Sequence, residues 1–235
     1  MGIGSSITAR PYQPERYTEE MSAFRSHVQA VEDLRGPAGR LEALLNTGRE
    51  DALYAAVVAH PHPPSGGTMH TKAVYQSAKA LLRIGCAVLR FNFRGAGASA
   101  GRFDDGRGEM DDCRAALDFM HDRYPQAPLW CGGMSFGAWI GLTVGARDPR
   151  VSTLIGIAPP LSRYDFEDVR TSPKPKFFIQ GEFDEVCPLK EMRAFYARAA
   201  DPKELVVIDG ADHLFDGKVS QVADAIEDLF GDWTE

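Results

Sequence analysis

Short apolar runs alternate with longer amphipathic segments over most of the chain, and this alternation limits the fold more than any other feature. The apolar runs are rich in Val, Ile, Leu and Phe, as in strands buried on both faces of a sheet. They read ALYAAVVAH, CAVLRFNF, APLWCGG, VSTLIGIAP, KFFIQG and ELVVIDG, with helical patterns such as KAVYQSAKALLRIG and MDDCRAALDFMHDRY between them. Strands separated by helices pair in parallel, so we expect an α/β protein with a mostly parallel sheet and helices on both faces.

Two more apolar runs, VQAVEDL and GRLEALLN, precede this alternation and bring the expected sheet to eight strands. The segment RGPAG joins them and is typical of a hairpin turn, so they predict an antiparallel start to the sheet. Residues 1–26 are polar, contain Pro11 and Pro14 and show little periodicity. This composition predicts an N-terminal arm followed by a single domain over residues 27–235.

Composition and charge argue against several classes of protein. The chain has 235 residues and a formal net charge of −7, which argues against a nucleic-acid partner because phosphate binding needs clustered Lys and Arg. No apolar run approaches the ~18 residues of a membrane span, and the N-terminus lacks a signal-peptide pattern. Four cysteines without a CxxC pair fit a reducing compartment. We therefore expect a cytoplasmic protein without a membrane span.

The segment Gly133-Met134-Ser135-Phe136-Gly137 places one serine between two glycines, where an apolar run meets a helical pattern. It matches G-x-S-x-G, in which a strained strand-to-helix turn lifts a nucleophilic serine above the sheet. Glycine fits the two outer positions because a side chain there would collide with the neighbouring strand or helix. A plain Gly/Ser-rich turn is the structural alternative, but the strand–turn–helix context favours a nucleophile at Ser135.

A serine nucleophile needs a base and an acid that orients the base. His213, in GADHLF after a strand, is the single histidine downstream of Ser135 and is therefore the expected base. Asp184 follows the strand KFFIQG and is the preferred acid, although spacing does not exclude Glu182 or Glu185. The structural alternatives are a solvated loop carboxylate for Asp184 and a capping or surface histidine for His213.

The segment VVAHPHPPSGGTMH is expected to supply part of an oxyanion hole. Acyl transfer needs N–H donors for the developing oxyanion, one from the residue after the nucleophile and one from the loop after an earlier strand. Phe136 is the first donor, and His62 is the second because the flanking prolines have no N–H. His60, His62 and His70 also suggest a metal. No carboxylate or cysteine lies nearby in sequence, however, so neither a metal nor an organic cofactor is predicted.

Several residues around the expected site are predicted to fix a loop, to line the site or to pack behind it. Arg94, in the glycine-rich segment after CAVLRFNF, is predicted to fix its loop against a carboxylate or a carbonyl. Phe136, Tyr164 and Phe166 are candidate apolar lining, whereas buried packing is favoured for Trp139. The segment PLSRYDFEDVRTSPKP, between VSTLIGIAP and KFFIQG, is too short for a helical cap domain, so an open site is predicted.

Five segments together resemble the small, cap-less α/β hydrolases related to dienelactone hydrolases and short-chain carboxylesterases. They are HPHPPSGGTM, FNFRGAGASAG, GMSFGAW, GEFDEVCP and GADHLF. The likeness runs from about Val28 to the C-terminus, which is nearly the whole chain except the N-terminal arm. The resemblance implies an α/β-hydrolase fold without a large cap domain. It also implies a triad of Ser135, Asp184 and His213, with the N–H groups of His62 and Phe136 as oxyanion donors. True dienelactone hydrolases carry a cysteine nucleophile, and the serine found here shifts the expectation toward esters.

The expected function is hydrolysis of carboxylic esters with short to medium acyl chains, through an acyl-serine intermediate. The expected partner is a small-molecule ester. The same triad also serves thioesterases, amidases and peptidases, which the sequence does not separate. A non-catalytic scaffold with this fold is a further alternative, and the intact serine, acid, histidine and oxyanion loop argue against it.

Overall fold

The computed structural model describes residues 28–47 and 52–231. The described residues contain ten strands: β1 (Val28–Val31), β2 (Arg35–Gly36), β3 (Gly39–Arg40), β4 (Ala43–Asn46), β5 (Tyr54–Ala59), β6 (Cys86–Phe91), β7 (Leu129–Met134), β8 (Val151–Ile157), β9 (Lys176–Gly181) and β10 (Lys203–Ile208). Six α-helices lie among them: α1 (Lys72–Arg83), α2 (Arg107–Arg123), α3 (Phe136–Arg147), α4 (Glu167–Thr171), α5 (Leu189–Tyr196) and α6 (Val219–Gly231).

Eight of the strands form one sheet in the order β1-β4-β6-β5-β7-β8-β9-β10. The pairs β1–β4 and β4–β6 are antiparallel, and every other neighbouring pair is parallel. The predicted eight-stranded, mostly parallel sheet with an antiparallel start is confirmed. Because β5 to β10 run in parallel, their carboxyl ends meet at one edge of the sheet, where ligand sites of open α/β sheets lie.

The predicted hairpin turn RGPAG does not join the first two strands of the large sheet directly. It lies at the tip of a separate two-stranded ribbon, β2 and β3, which is inserted between β1 and β4. Leu34 and Leu41 flank this ribbon and are buried, and the Leu41 N–H donates to the Leu34 carbonyl over 2.9 Å. Burial of these two leucines explains why the chain folds back before β4 begins.

Helices cover both faces of the sheet, as predicted. The apolar stripe of α1, with Val74 and Leu81, packs with Ile226 of α6 in the core on one face. On the other face, Leu117 of α2 and Ile140 of α3 belong to a second core. The central strands β6 and β7 are buried throughout, and β5 is buried except at Tyr54, which is the burial expected for continuous apolar runs.

Residues 28–47 and 52–231 place no large cap domain over the carboxyl edge of the sheet. The segment between β8 and β9 contains only the five-residue helix α4. Among the described residues, no helix has the length and apolarity needed to cross a membrane. The predicted N-terminal arm, residues 1–26, lies outside the described residues, so the boundary at residue 27 stays a prediction.

Candidate active site

Ser135 occupies the turn between β7 and α3. Its backbone has a φ of 53° and a ψ of −121°, a region that side-chain-bearing residues rarely adopt and that commonly marks functional turns. The turn is held on both sides: the Ser135 N–H donates to the Ile157 carbonyl over 2.8 Å, and the Ser135 carbonyl accepts from the N–H of Ala138 over 2.8 Å. The strained turn places the hydroxyl at the carboxyl edge of the sheet.

The two glycines of the turn are required by close backbone contacts. A Cβ on Gly133 would lie 2.5 Å from the Ala59 carbonyl oxygen, and a Cβ on Gly137 would lie 2.5 Å from the carbonyl oxygens of both Ala59 and His60. These backbone atoms belong to β5 and the residue after it, so they cannot move without disturbing the sheet. Glycine therefore allows α3 to begin directly against the end of β5.

His213 lies within hydrogen-bond distance of both Ser135 and Asp184, which come from distant parts of the sequence. His213 Nε2 is 3.0 Å from Ser135 Oγ, and His213 Nδ1 is 2.8 Å from Asp184 Oδ2. With the ring proton on Nδ1, Nε2 is free to accept the hydroxyl proton. Asp184 follows β9 and His213 follows β10, so neighbouring parallel strands bring the two side chains together.

The other acids near Asp184 do not contact His213. Glu182 Oε2 instead accepts from the Gly210 N–H over 2.8 Å, which ties the loop after β9 to the loop after β10. Glu185 is exposed. The Asp184 carboxylate is buried and accepts from the N–H groups of Val186 and Cys187 over 2.9 and 2.7 Å. The geometry thus separates Asp184 from the alternatives that sequence spacing left open.

His62 and Phe136 line the same cavity as Ser135. Phe136 is the first residue of α3, where an N–H has no acceptor inside the helix. Neither N–H donates a hydrogen bond to any residue in the part of the chain that the structure describes. A 3₁₀ turn holds the His62 loop, because the Ser65 and Gly67 N–H groups both donate to the His62 carbonyl over 3.1 Å.

The cavity above Ser135 has a volume of about 530 Å³ and opens to solvent. Phe136 and Tyr164 form part of its wall, as predicted. Trp139 stacks behind Tyr164 with ring centroids 4.0 Å apart, which agrees with the packing role expected for it. The prediction that Phe166 lines the cavity is wrong. Phe166 precedes α4, where its side chain is buried in the core and its ring packs against Phe195.

Similar proteins share this architecture. A solved structure described as an α/β serine hydrolase homologue from Coxiella burnetii is 36% identical, covers 86% of this chain and 96% of that chain, and superposes with a TM-score of 0.79. The chain belongs to the α/β-hydrolase family. A model for serine aminopeptidases of family S33 matches residues 56–171 of this α/β hydrolase.

Two further relatives extend over most of the α/β hydrolase. An uncharacterized protein of Rickettsia prowazekii is 37% identical over 202 residues, which cover 82% of this chain and 85% of that protein. A Xanthomonas campestris structure, described as a serine hydrolase without a lid, is 34% identical, covers 88% of this chain and 95% of that chain, and has a TM-score of 0.78. Cap-less members of the family are thus its relatives by sequence as well as by fold.

The glycine-rich loop of the α/β hydrolase after β6 is fixed by a buried ion pair. Arg94 Nη2 and Nε donate to the two carboxylate oxygens of Asp112 over 2.8 and 3.0 Å, and the Arg94 N–H donates to the same carboxylate over 2.9 Å. This confirms that Arg94 fixes its loop against a carboxylate. The bidentate geometry joins the loop to α2, behind the cavity.

Gln180 is a supporting residue that the sequence did not reveal. It is fully buried in β9, and its Nε2 donates to Asp184 Oδ2 over 2.9 Å and to the Cys187 carbonyl over 2.7 Å. The amide therefore holds the acid and the turn after it in place. A glutamine in an apolar strand is unusual, and this was the only sequence signal for it.

Asp184, Cys187 and His213 are close enough to suggest a metal site, with ligand atoms within 4.8 Å of one another. Burial raises the pKa of the Cys187 thiol to about 12, which disfavours the thiolate form that binds metals. The ring nitrogens of His213 already face Asp184 and Ser135. The three residues fit a hydrogen-bonded serine site better than a metal centre.

His60 is a buried ring that joins two strand ends beside the oxyanion loop. Its Nε2 accepts from the Phe93 N–H over 3.0 Å, and its Nδ1–H donates to the Pro61 carbonyl over 2.7 Å. Both nitrogens of His60 are thus used, which argues against this ring as a ligand in the metal interpretation weighed for His60, His62 and His70. Burial lowers the pKa of His60 to about 4 from an ordinary value of 6.5.

We expect His60 to make the protein less stable in acid. Above pH 6.5 the ring is neutral in both the folded and unfolded chains, and its stabilising contribution is complete. As the pH falls toward about 4, only the unfolded chain takes up a proton, which lowers the free energy of unfolding by about 3 kcal/mol. Urea denaturation of the wild type and His60→Gln at several pH values should show the advantage of the wild type shrinking by this amount.

The exposed His70 provides the matched control, because His70→Gln should keep the pH dependence of the wild type. If His60→Gln and the wild type lose stability in parallel from pH about 7 to about 4, the burial argument for this ring is wrong.

Proposed function

We propose that this α/β hydrolase cleaves carboxylic esters, with Ser135 as the nucleophile. The observation that carries the proposal is the chain of contacts from Ser135 Oγ to His213 Nε2, at 3.0 Å, and from His213 Nδ1 to Asp184 Oδ2, at 2.8 Å, beside an open cavity. A hydroxyl, a base and a buried carboxylate in this order form the arrangement that activates serine nucleophiles.

The proposed reaction begins when His213 takes the Ser135 hydroxyl proton as the serine oxygen attacks the ester carbonyl. The N–H groups of His62 and Phe136 stabilise the negative charge on the tetrahedral intermediate. His213 then gives its proton to the leaving alcohol, and an acyl-serine remains. Water activated by His213 hydrolyses this acyl-enzyme and regenerates the hydroxyl. Asp184 keeps the His213 proton on Nδ1 and stabilises the charged ring.

The cavity supports esters with short to medium acyl chains. Its volume of about 530 Å³ falls within the range of small-molecule sites, and the short segment between β8 and β9 leaves it uncovered. Phe136 and Tyr164 supply apolar contact area for an acyl chain. No metal or organic cofactor is needed for this reaction, because the side chains supply the nucleophile, the base and the oxyanion donors.

The competing proposal is aminopeptidase activity, which the description of the S33 family model suggests. An aminopeptidase must bind the positively charged α-amino group of its substrate, most directly with a carboxylate. The cavity wall contains no aspartate or glutamate among the described residues. This observation favours an ester over a peptide with a free amino terminus.

Hydrolysis of p-nitrophenyl acetate, butyrate, octanoate and dodecanoate, compared with alanine p-nitroanilide and a butyryl thioester, tests the proposal. We expect the highest kcat/KM among the acetate, butyrate and octanoate esters and little hydrolysis of the anilide. An anilide rate above all ester rates would favour the aminopeptidase, and a dominant thioester rate would favour a thioesterase. A complete lack of hydrolysis would favour a non-catalytic scaffold.

A further inference from the structure

The charges that line the cavity are unusual for this chain. The formal net charge of the protein is −7, yet among the described residues the only side chain with a fixed charge on the cavity wall is the Arg163 guanidinium. The wall also contains His62, His213 and Tyr164, and no carboxylate of the described residues belongs to it. A cavity whose wall carries a guanidinium and no carboxylate, in an acidic protein, attracts anions and disfavours cations.

Within the described residues, Arg163 has no carboxylate partner, in contrast to several other arginines. Arg94, Arg147 and Arg150, for example, each pair with an aspartate. No carboxylate in residues 28–47 or 52–231 lies within ion-pair distance of the Arg163 guanidinium. The side chain is exposed at the cavity and keeps its hydrogen-bond donors available.

The backbone that carries Arg163 is well anchored. The Arg163 N–H donates to the Pro160 carbonyl over 3.0 Å, and Pro160 is buried in the cavity wall. The next residue, Tyr164, stacks flat on Trp139 with an interplanar angle of 9°. A guanidinium on a fixed turn loses less conformational freedom on binding than one on a loose loop, which favours selective recognition.

Exposed apolar side chains lie in the same wall as Arg163. Val186 follows the acid Asp184, and Leu214 follows the base His213, so both border the reacting serine. An acyl chain attached to Ser135 therefore lies in a cavity that offers both apolar side chains and a guanidinium. This combination fits an acyl chain that ends in an anion better than one that ends in a methyl group.

We propose that the site acts on esters whose acyl chain carries a terminal anion, such as half-esters of dicarboxylic acids, and that Arg163 binds this anion. The proposal rests on the ester hydrolysis proposed above. The planar guanidinium donates two parallel hydrogen bonds to a carboxylate, and a phosphonate offers the same acceptor geometry. Arg163 is a specificity-determining residue in this account, whereas Ser135, His213 and Asp184 perform the chemistry.

A matched pair of substrates isolates the charge: mono-p-nitrophenyl adipate is anionic, and methyl p-nitrophenyl adipate has the same chain length and no charge. The kcat/KM ratio of anionic to neutral ester should fall about tenfold in Arg163→Gln, with a further fall in Arg163→Glu and partial retention in Arg163→Lys. Salt should weaken the wild-type preference, because exposed charge pairs are screened. Rates with the Ser135→Ala protein supply the background that is subtracted.

Arg123→Gln is the control for loss of one positive charge, because Arg123 ends α2 at the opposite edge of the sheet and does not line the cavity. This variant should leave the kcat/KM ratio of anionic to neutral ester unchanged. A p-nitrophenyl ester with a terminal phosphonate shows which anion the site prefers. An Arg163-dependent preference for either anion supports the proposal, and a ratio that is equal in the wild type and Arg163→Gln overturns it.

Binding measured without hydrolysis tests the role of Arg163 in anion binding separately from the proposed ester hydrolysis. In a Ser135→Ala background, monomethyl adipate should bind about tenfold more tightly than it does after the further change Arg163→Gln, whereas dimethyl adipate should not distinguish the two proteins. Isothermal titration calorimetry of each ester with both proteins measures these affinities. Anion-selective binding without ester hydrolysis would reject the esterase proposal alone, and hydrolysis without anion selectivity would reject the role of Arg163 alone.

Discussion

Replacement of Ser135 by alanine is expected to lower kcat/KM for p-nitrophenyl butyrate by at least about 10⁴-fold, because it removes the atom that forms the acyl-enzyme. The fold should be kept. The Ser135 hydroxyl contacts His213 across the cavity, while the turn itself is held by backbone hydrogen bonds to Ile157 and Ala138. Steady-state kinetics together with thermal unfolding of both proteins measures the two effects separately.

Ser152→Ala is the matched control, since Ser152 lies near the start of β8 and its hydroxyl donates to the Leu129 carbonyl, at the edge of the sheet away from the site. Its kcat/KM should stay close to that of the wild type. Retention of more than about one tenth of the activity in Ser135→Ala would mean that another group is the nucleophile.

The change Asp184→Asn should lower kcat/KM by about 10⁴-fold while leaving the volume of the side chain almost unchanged. Asp184 Oδ1 accepts from the N–H groups of Val186 and Cys187, so an amide N–H₂ at this position would face two donors. At the Oδ2 position it faces one side-chain donor, Gln180 Nε2, whose amide can rotate, and not two fixed backbone donors. The amide nitrogen therefore favours the Oδ2 position, opposite His213 Nδ1. There it donates to the ring, moves the ring proton to Nε2 and removes the acceptor that Ser135 needs.

The matched control for this change is Glu185→Gln, an exposed acid one residue along the same loop. It removes one negative charge near the site without touching the hydrogen bonds of Asp184. We expect kcat/KM within about twofold of the wild type, as is usual for exposed charges. Equal losses in Asp184→Asn and Glu185→Gln would show that the loop charge, and not the bond to His213, controls activity.

The fold was predictable because its strands and helices have strong local patterns. The apolar runs that became β5 to β10 are bounded by glycine, proline or polar residues, and the helices between them carry apolar stripes. The ribbon of β2 and β3 was missed because each of its strands has only two residues, too few to show periodicity. The five-residue α4 was missed for the same reason.

The candidate site was predictable where chain order and residue type limit the choice. Ser135 is marked by its flanking glycines, and His213 is the single downstream histidine, whereas Asp184 competed with two nearby glutamates. Only the three-dimensional contact with His213 distinguishes Asp184 from these neighbours.

Supporting residues were harder to predict because their partners are distant in the sequence. His60 accepts a hydrogen bond from Phe93, 33 residues away, and no local pattern encodes such a contact. Gln180 depends on the turn that brings the Cys187 carbonyl back to β9. Arg163 is an ordinary loop arginine in sequence. Its relevance comes from the cavity that it lines and from the lack of a carboxylate partner in the described residues.

The central claim is that Ser135 is an activated nucleophile, and active-site labelling tests it most directly. The wild-type protein is treated with a serine-directed fluorophosphonate, and the modified residue is identified by mass spectrometry of peptides. We predict one equivalent of label on Ser135, slow labelling in Asp184→Asn and none in Ser135→Ala. Label on a different residue, or no label on the folded wild-type protein, would contradict the account.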